Sequence, residues 1–373
     1  MKVQIKRELL LNNLNNVSRA LSNKPQMPIL TGLKLDVKNN FITMTASNSD
    51  ISIQTKLDAN DDLIIKETGV VVLPGKYFCE IVRKCDCETI FIQTFEQNSV
   101  KILAEQSTFT LNLLDKTIFP YISFDDSQSF IYLDSINLKQ IIKKTTFATS
   151  ISESRMVFTG VSFTVAGDKL DAIATDSFRL AEKYMKVEGM NAQIRAIIPS
   201  KSLDELNKII EETQEIIQIH FTQTRALFKY KNILFQTRLI EGNFPNTKSF
   251  IPTEFITNIK FNKQELINAI NRASLFTLDD LSNVIKFSIN EQNEIIISSS
   301  ASEIGGSLEK IKAIECSNYF NFETAFSAKY FLEALKAFDA NEVTIHFSGE
   351  VKPFIINSDY DVNLIQLLMP TRI

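Results

Sequence analysis

The chain has 373 residues, 44% of them hydrophobic and 23% charged, with a formal net charge of −4 and a mean hydropathy near zero, −0.01. That balance belongs to an ordinary folded protein and argues against long disordered tails. No apolar run approaches the roughly 18 residues a membrane span needs, and Met1-Lys-Val-Gln-Ile-Lys-Arg7 lacks the apolar core of a signal peptide, so a cytoplasmic protein is expected.

In chain order, the first helical pattern spans residues 8–17, and its apolar spacing returns over 138–147 and 264–275. Leu10, Leu138 and Leu266 hold the same place in each, at intervals of 128. Leu30-Thr-Gly-Leu33 is echoed by Phe158-Thr-Gly-Val161. Residues 41–46 and 108–113 alternate apolar with polar, as half-buried antiparallel strands do. Residues 100–104 and 294–299 carry adjacent apolar side chains, and periodicity supports strands there only weakly. Pro74-Gly-Lys76, Pro199-Ser-Lys201 and Ser327-Ala-Lys329 each open a second helical run. Turn signals fall at residues 38–40, 166–168 and 290–293.

A repeat of about 125 residues is domain-sized, whereas solenoid repeats run to about 20–50. The expectation is therefore an α+β chain of three tandem copies, at 1–127, 128–254 and 255–373, each with two helices against antiparallel sheets. No Gly/Ser or Pro-rich linker separates them, so the copies should be docked rather than tethered.

The chemistry-bearing residues form no catalytic set. Ten glycines include no phosphate-binding loop. His220 and His346 lie in strand-like runs, where a structural role is expected. Cys79, Cys85, Cys87 and Cys316 lack zinc-site spacing and are expected to be reduced thiols. Asp50, Asp176 and the Glu211-Glu212 pair could bind Mg²⁺ or do acid–base work, but they are not clustered; an Mg²⁺-dependent enzyme on a repeated-domain scaffold is the alternative reading. No cofactor, metal or catalytic residue is expected.

Residues 1–7, Pro28-Ile-Leu-Thr-Gly32, Ser47-Asn-Ser-Asp-Ile-Ser52, Leu73-Pro-Gly-Lys-Tyr-Phe78, Ala174-Thr-Asp-Ser-Phe-Arg-Leu180, Phe244-Pro245 and Met369-Pro-Thr-Arg-Ile373 together resemble the bacterial replicative sliding clamps, the beta subunits of DNA polymerase III. The resemblance runs the length of the chain. It implies a head-to-tail homodimer closing a ring around duplex DNA, with helices lining the hole, and a non-catalytic processivity role. A clamp-like ring without a replication role is a further alternative.

The resemblance also implies three sets of residues. Lys24 falls where clamps carry a basic loop residue that touches DNA, and Arg83, Lys84, Lys143, Lys144, Lys208, Arg272 and Lys336 are cations on the predicted helices. Acids such as Glu205 could instead balance these as solvated faces. A pocket for short linear peptides of polymerases, the clamp loader and repair proteins matches Phe158, Thr175, Ser177, Phe178, Arg179, Leu180, Pro245, Ser249, Phe250, Tyr330, Val351, Pro353, Leu367, Leu368, Met369, Pro370, Thr371 and Arg372. Here Ser177-Phe178 stands where Gly-His is often found, Ser249 where Arg often sits and Thr371 where Met or Val is common, which should shift peptide preference. The dimer contact matches Phe109 and Leu111 of the first copy with Leu275 and Phe276 of the third, and Lys76 as a charged neighbour.

Overall fold

The computed structural model describes residues 1–22, 27–96, 98–189, 193–277, 283–301, 305–318 and 321–371. Among them one order of elements occurs three times: a strand, a helix, five strands, a second helix and three strands. The helices are α1 (Arg7–Val17), α2 (Gly75–Lys84), α3 (Ser135–Thr145), α4 (Ser200–Asn207), α5 (Lys263–Ala273) and α6 (Ala328–Lys336). The three recurring Lys-containing signatures start α2, α4 and α6. Ser327 caps α6, accepting from the Tyr330 N–H at 3.5 Å, and Asn262 caps α5, accepting from the Glu265 N–H at 3.0 Å.

Close packing accounts for the repeated Thr-Gly signature. A Cβ on Gly160 would lie 2.6 Å from the Ile198 carbonyl oxygen, and one on Gly32 would lie 2.5 Å from Val72 Cγ1. Only glycine fits such an approach between paired strands. The weakly patterned residues 100–104 are a strand: Val100, Ile102 and Ala104 fill the core, while Leu103 is half-buried on the other face. Residues 295–301 behave alike, with Ile295 and Ile297 inside.

The chain divides into two compact units, Met1–Ile136 with Glu188–Ala192 and Lys201–Leu239, and the remainder. The first unit holds two antiparallel sheets. One has five strands in the order Leu63–Glu67, Lys2–Lys6, Thr89–Phe95, Ser99–Ala104, Ser107–Asn112. The other has nine. Five strands of the second copy, ending on Ile233–Arg238, pair with four of the first through Ile51–Asp58, with Ile233 opposite Thr55 and Thr237 opposite Ile51.

The second unit repeats that plan. Four strands of the second copy, ending on Arg179–Lys186, pair with five of the third through Leu364–Leu368, with Arg179 opposite Leu368 and Lys183 opposite Leu364. A four-stranded sheet, Gly305–Ile311, Ile295–Ala301, Val284–Ile289, Phe322–Ser327, completes it. Each copy thus contributes one sheet of five strands and one of four, and neighbours join five to four. Docking is therefore achieved by shared sheets. The core of the third copy, under α5 and α6, is rich in phenylalanine, with Phe261, Phe287, Phe322, Phe326, Phe331, Phe347 and Phe354 buried together.

Candidate functional site

In the second unit the strand joint places Leu180 opposite Leu367. Ile173 and Ile355 complete a buried apolar cluster with them, and Phe244, Ile251, Phe255 and Ile365 pack against it. Phe158 is buried and meets Phe244 edge-on at 6.0 Å. Large apolar side chains remain in solvent on segments that lead into this cluster: Phe178 is 62% exposed, Phe250 57% and Met369 39%, while Val351, in the loop before Phe354, is 77% exposed. Phe178 and Met369 are neighbours, since the Met369 N–H donates to the Phe178 carbonyl at 2.9 Å. Leu368 is buried opposite Phe354, and Pro353 directly precedes it. Ser249 and Pro245 are exposed on the segment that carries Phe250 and Ile251, and Pro370 is half-buried. Thr371 is tied down by its N–H, which donates to the Ala325 carbonyl at 2.7 Å. Arg372 lies outside the described residues.

A tight turn carries the rim. Asp176 Oδ1 accepts from the Phe178 N–H at 2.9 Å and the Arg179 N–H at 3.1 Å, while Thr175 Oγ1 accepts from the Ser177 N–H at 3.1 Å and donates to the Arg179 carbonyl at 2.6 Å. Ser177 sits at φ +83°, in the left-handed region that glycine tolerates best. Buried Arg179 donates from Nε to Asp176 Oδ2 at 2.9 Å and from Nη2 to the Phe147 carbonyl at 2.5 Å, and it pairs through Nη1 with Glu333. Its guanidinium lies 4.2 Å over the Tyr330 ring. Burial, reinforced by Asp176 and Glu333 and opposed by Arg179, holds the Tyr330 hydroxyl above its usual pKa.

Several members of this site carry no sequence sign. Glu333 is 154 positions from Arg179, and Ile173 and Ile355 read as ordinary strand residues. Asp176, considered above as a metal or acid–base candidate, instead builds the turn.

The predicted DNA-facing cations fall into distinct settings. Arg83 and Lys84 are exposed on α2 and share one acid, Glu80, with Lys84 at 3.9 Å. Lys208 and Arg19 likewise share Glu205, at 2.6 and 3.1 Å. Exposed Arg272 is held by Glu309 at 2.6 Å. Lys143 and Lys336 are exposed. Lys24 lies outside the described residues.

Lys144 must be withdrawn from this set. Its side chain is only 5% exposed and is clamped 2.6 Å from Asp361 and 2.8 Å from Asp339. Asp361 Oδ2 also accepts from the Asp339 N–H at 2.8 Å and the Ala340 N–H at 3.2 Å. Burial pushes the Asp361 carboxyl up, but Lys144 and these N–H groups outweigh it and hold it below its usual pKa. Lys144 is committed to the interior and has no free charge to offer a phosphate.

Of the predicted dimer residues, Phe109 and Leu111 are half-buried on Ser107–Asn112, an edge strand of the five-stranded sheet. Leu275 is 60% exposed, Phe276 half-buried and Lys76 exposed.

The histidines are engaged structurally. His220 Nδ1 meets the Ser127 carbonyl at 2.9 Å, and His346 bridges the Asn258 and Asn357 side chains at 2.7 and 2.9 Å. Burial pushes the Cys79 thiol up to about 11, which makes it a poor nucleophile. Among the described residues no three His, Cys, Asp or Glu side chains gather as a metal site, and no helix is long and apolar enough to cross a membrane.

A threefold repeat of two helices on sheets shared between neighbouring copies defines a DNA-clamp architecture. Comparison with known proteins agrees over the whole chain. Models of the DNA polymerase III beta subunit N-terminal, central and C-terminal domains match residues 1–123, 132–246 and 248–372. The beta sliding clamp of Staphylococcus epidermidis is 38% identical, covering 100% of this chain and 99% of that protein. The crystal structure of the DNA polymerase sliding clamp from Bacillus subtilis superposes with a TM-score of 0.96 at 36% identity, covering 100% of this chain and 99% of that one. The DNA polymerase III beta chain of Streptococcus pneumoniae gives a TM-score of 0.95 at 32% identity, with both chains fully covered. The chain belongs to the DNA polymerase III beta subunit family. Its function is that of a sliding clamp, a non-catalytic subunit that confers processivity.

Proposed function

We propose that two copies of this chain close head to tail around duplex DNA in the cytoplasm, as three domains each, bounded near residues 127 and 254. One observation carries the dimer. Within each unit a five-stranded sheet joins a four-stranded sheet of the neighbouring copy, and among the described residues this rule leaves two sheets unjoined in a single chain. They are the five-stranded sheet ending on Ser107–Asn112 and the four-stranded sheet ending on Gly305–Ile311. Joining the first of one chain to the second of another repeats the same five-to-four rule, and two heterologous contacts close the assembly. Phe109 and Leu111 would face Leu275 and Phe276 there, with Lys76 nearby.

DNA is held without sequence preference by Lys24, Arg83, Lys84, Lys143, Lys208, Arg272 and Lys336. Arg83 and Lys84 share Glu80, and Arg19 and Lys208 share Glu205, so at each pairing two cations face one carboxylate despite the chain's net −4. Weak, screened attraction of this kind suits a protein that slides. The apolar groove around Leu180 and Leu367 captures short peptides of the replicative polymerase, the clamp loader and repair proteins. Exposed aromatic and aliphatic side chains over a buried floor, with a few fixed polar groups, are what such a peptide needs.

Size-exclusion chromatography with light scattering tests the ring. A dimer is expected for the native chain, and Leu111→Lys is expected to give monomer. A native chain that stays monomeric at high concentration sinks the closed ring.

A further inference from the structure

The geometry points to Glu333, which belongs to none of the residue sets expected from sequence, as a positioning residue for the peptide groove: it holds the Arg179 guanidinium against the Tyr330 ring and steadies the turn that presents Phe178. This inference rests on the groove reading.

Arg179 is 8% exposed, and its planar guanidinium is fixed at three places. Asp176 takes Nε at 2.9 Å and the Phe147 carbonyl takes Nη2 at 2.5 Å. Glu333 takes Nη1. Tyr330 and Glu333 stand three residues apart on α6, so they share one helix face. Glu333 therefore ties the stacked cation to the helix that carries the ring, and the 4.2 Å stacking distance is set within one helical turn. Asp176, the opposite anchor of the same guanidinium, accepts the N–H groups of Phe178 and Arg179. Glu333, Arg179, Asp176 and the Phe178 rim thus form one chain of contacts.

The first unit supplies an internal control. The matching turn there, residues 47–52, has Asn48 Oδ1 accepting from the Asp50 and Ile51 N–H groups and Ser49 at φ +82°. Its strand pairs onward through Ile51 opposite Thr237. Buried Ile51 stands where the second unit has Arg179. The turn and the sheet joint form without the ion cluster, so the fold does not require it; the cluster accompanies the groove.

Fluorescence anisotropy on the full chain with a labelled Gln-Leu-x-Leu-Phe type peptide, together with ¹⁹F NMR of the fluorotyrosine-substituted protein, tests this. Tyr330 is assigned through Tyr330→Phe. Glu333→Gln should weaken peptide binding by about tenfold and move the Tyr330 resonance, while Glu342→Gln, which breaks an exposed pair with Lys260 elsewhere in the same copy, should do neither. Glu333→Asp should show both effects at smaller size. Unchanged affinity, or weaker binding with an unmoved Tyr330 resonance, overturns the positioning role. A native chain that binds no peptide, yet whose Tyr330 resonance moves in Glu333→Gln, overturns the groove reading and leaves the coupling of Glu333 to the ring intact.

Discussion

In the first unit Ser52 lies opposite Gln236 at the joint between copies; at the matching place in the second unit Leu180 lies opposite Leu367. The backbones agree in detail. Arg238 donates to the Asp50 carbonyl as Met369 does to that of Phe178, both at 2.9 Å. The surfaces do not agree. Thr45 replaces Ile173, Asp50 replaces Phe178 and Arg238 replaces Met369, and the first joint consumes its polar groups internally: Gln236 donates to the Ser123 carbonyl at 2.7 Å and accepts from Arg225 at 3.0 Å, and the Ser47 and Ser52 hydroxyls bond at 2.9 Å. One joint is closed by hydrogen bonds and the other keeps apolar surface in water. An exposed apolar patch on a folded chain is retained where something binds.

The largest expected difference between the joints is in stability. Lys144→Met removes the cation hydrogen-bonded to buried Asp361, leaving the neighbouring Lys183 to offset it, and should cost about 3 kcal/mol, whereas Arg19→Met, which breaks a partly exposed pair with Glu205 in the first unit, should cost under about 1 kcal/mol. Urea unfolding of the two variants compares them; equal losses would erase the distinction.

Converting the groove toward the first joint is next. Leu180→Ser, the residue that copy one carries, should weaken peptide binding by more than about tenfold, read by anisotropy, and native-like binding would refute the assignment of the floor.

A smaller effect concerns Glu182, which shares its strand face with Leu180 and is 7% exposed, with Oε2 lacking a hydrogen bond. Burial first, and Asp171 second, raise its pKa in the folded state. A raised carboxyl pKa means that the ion is penalised in the fold at pH above that value and that the penalty is absent below the unfolded value of about 4. Glu182→Gln should therefore stabilise the protein by about 1 kcal/mol at neutral pH, with the gain fading on acidification. A gain that persists at pH 3 contradicts this origin. Gln54 fills the matching place in copy one and is bonded to Thr45 at 2.9 Å, so the same liability is missing there.

The smallest effect should be common to both joints. Ser49→Gly and Ser177→Gly relieve a left-handed backbone and should each stabilise by about 0.5–1 kcal/mol, measured by thermal melting; a loss at either would show that its hydroxyl matters more than its backbone.

The repeat was legible because local signals recur: helix-opening signatures, Thr-Gly approaches and turn residues need only their neighbours. Sheet sharing was not, because strand Ile233–Arg238 gives no local sign that its partner is Ile51–Asp58. Lys144 shows the same limit. It adjoins exposed Lys143 on α3 and looks alike in sequence, yet the two point about 100° apart around the helix, and the acid that claims Lys144 is 217 positions away. The turn from Thr175 to Leu180 is legible as a compact polar stretch, whereas the pairing of Glu333 with Arg179 is not, since its partner is 154 positions away.

The two unjoined sheets are unlike, one of five strands and one of four. Identical surfaces therefore never meet in the assembly proposed here, and its symmetry axis must run through the hole rather than across it. In that proposed assembly the two copies of the groove are related by rotation about the axis and would face the same way along it. A partner that docks there is told which way the ring faces on the duplex, so orientation travels with the tether.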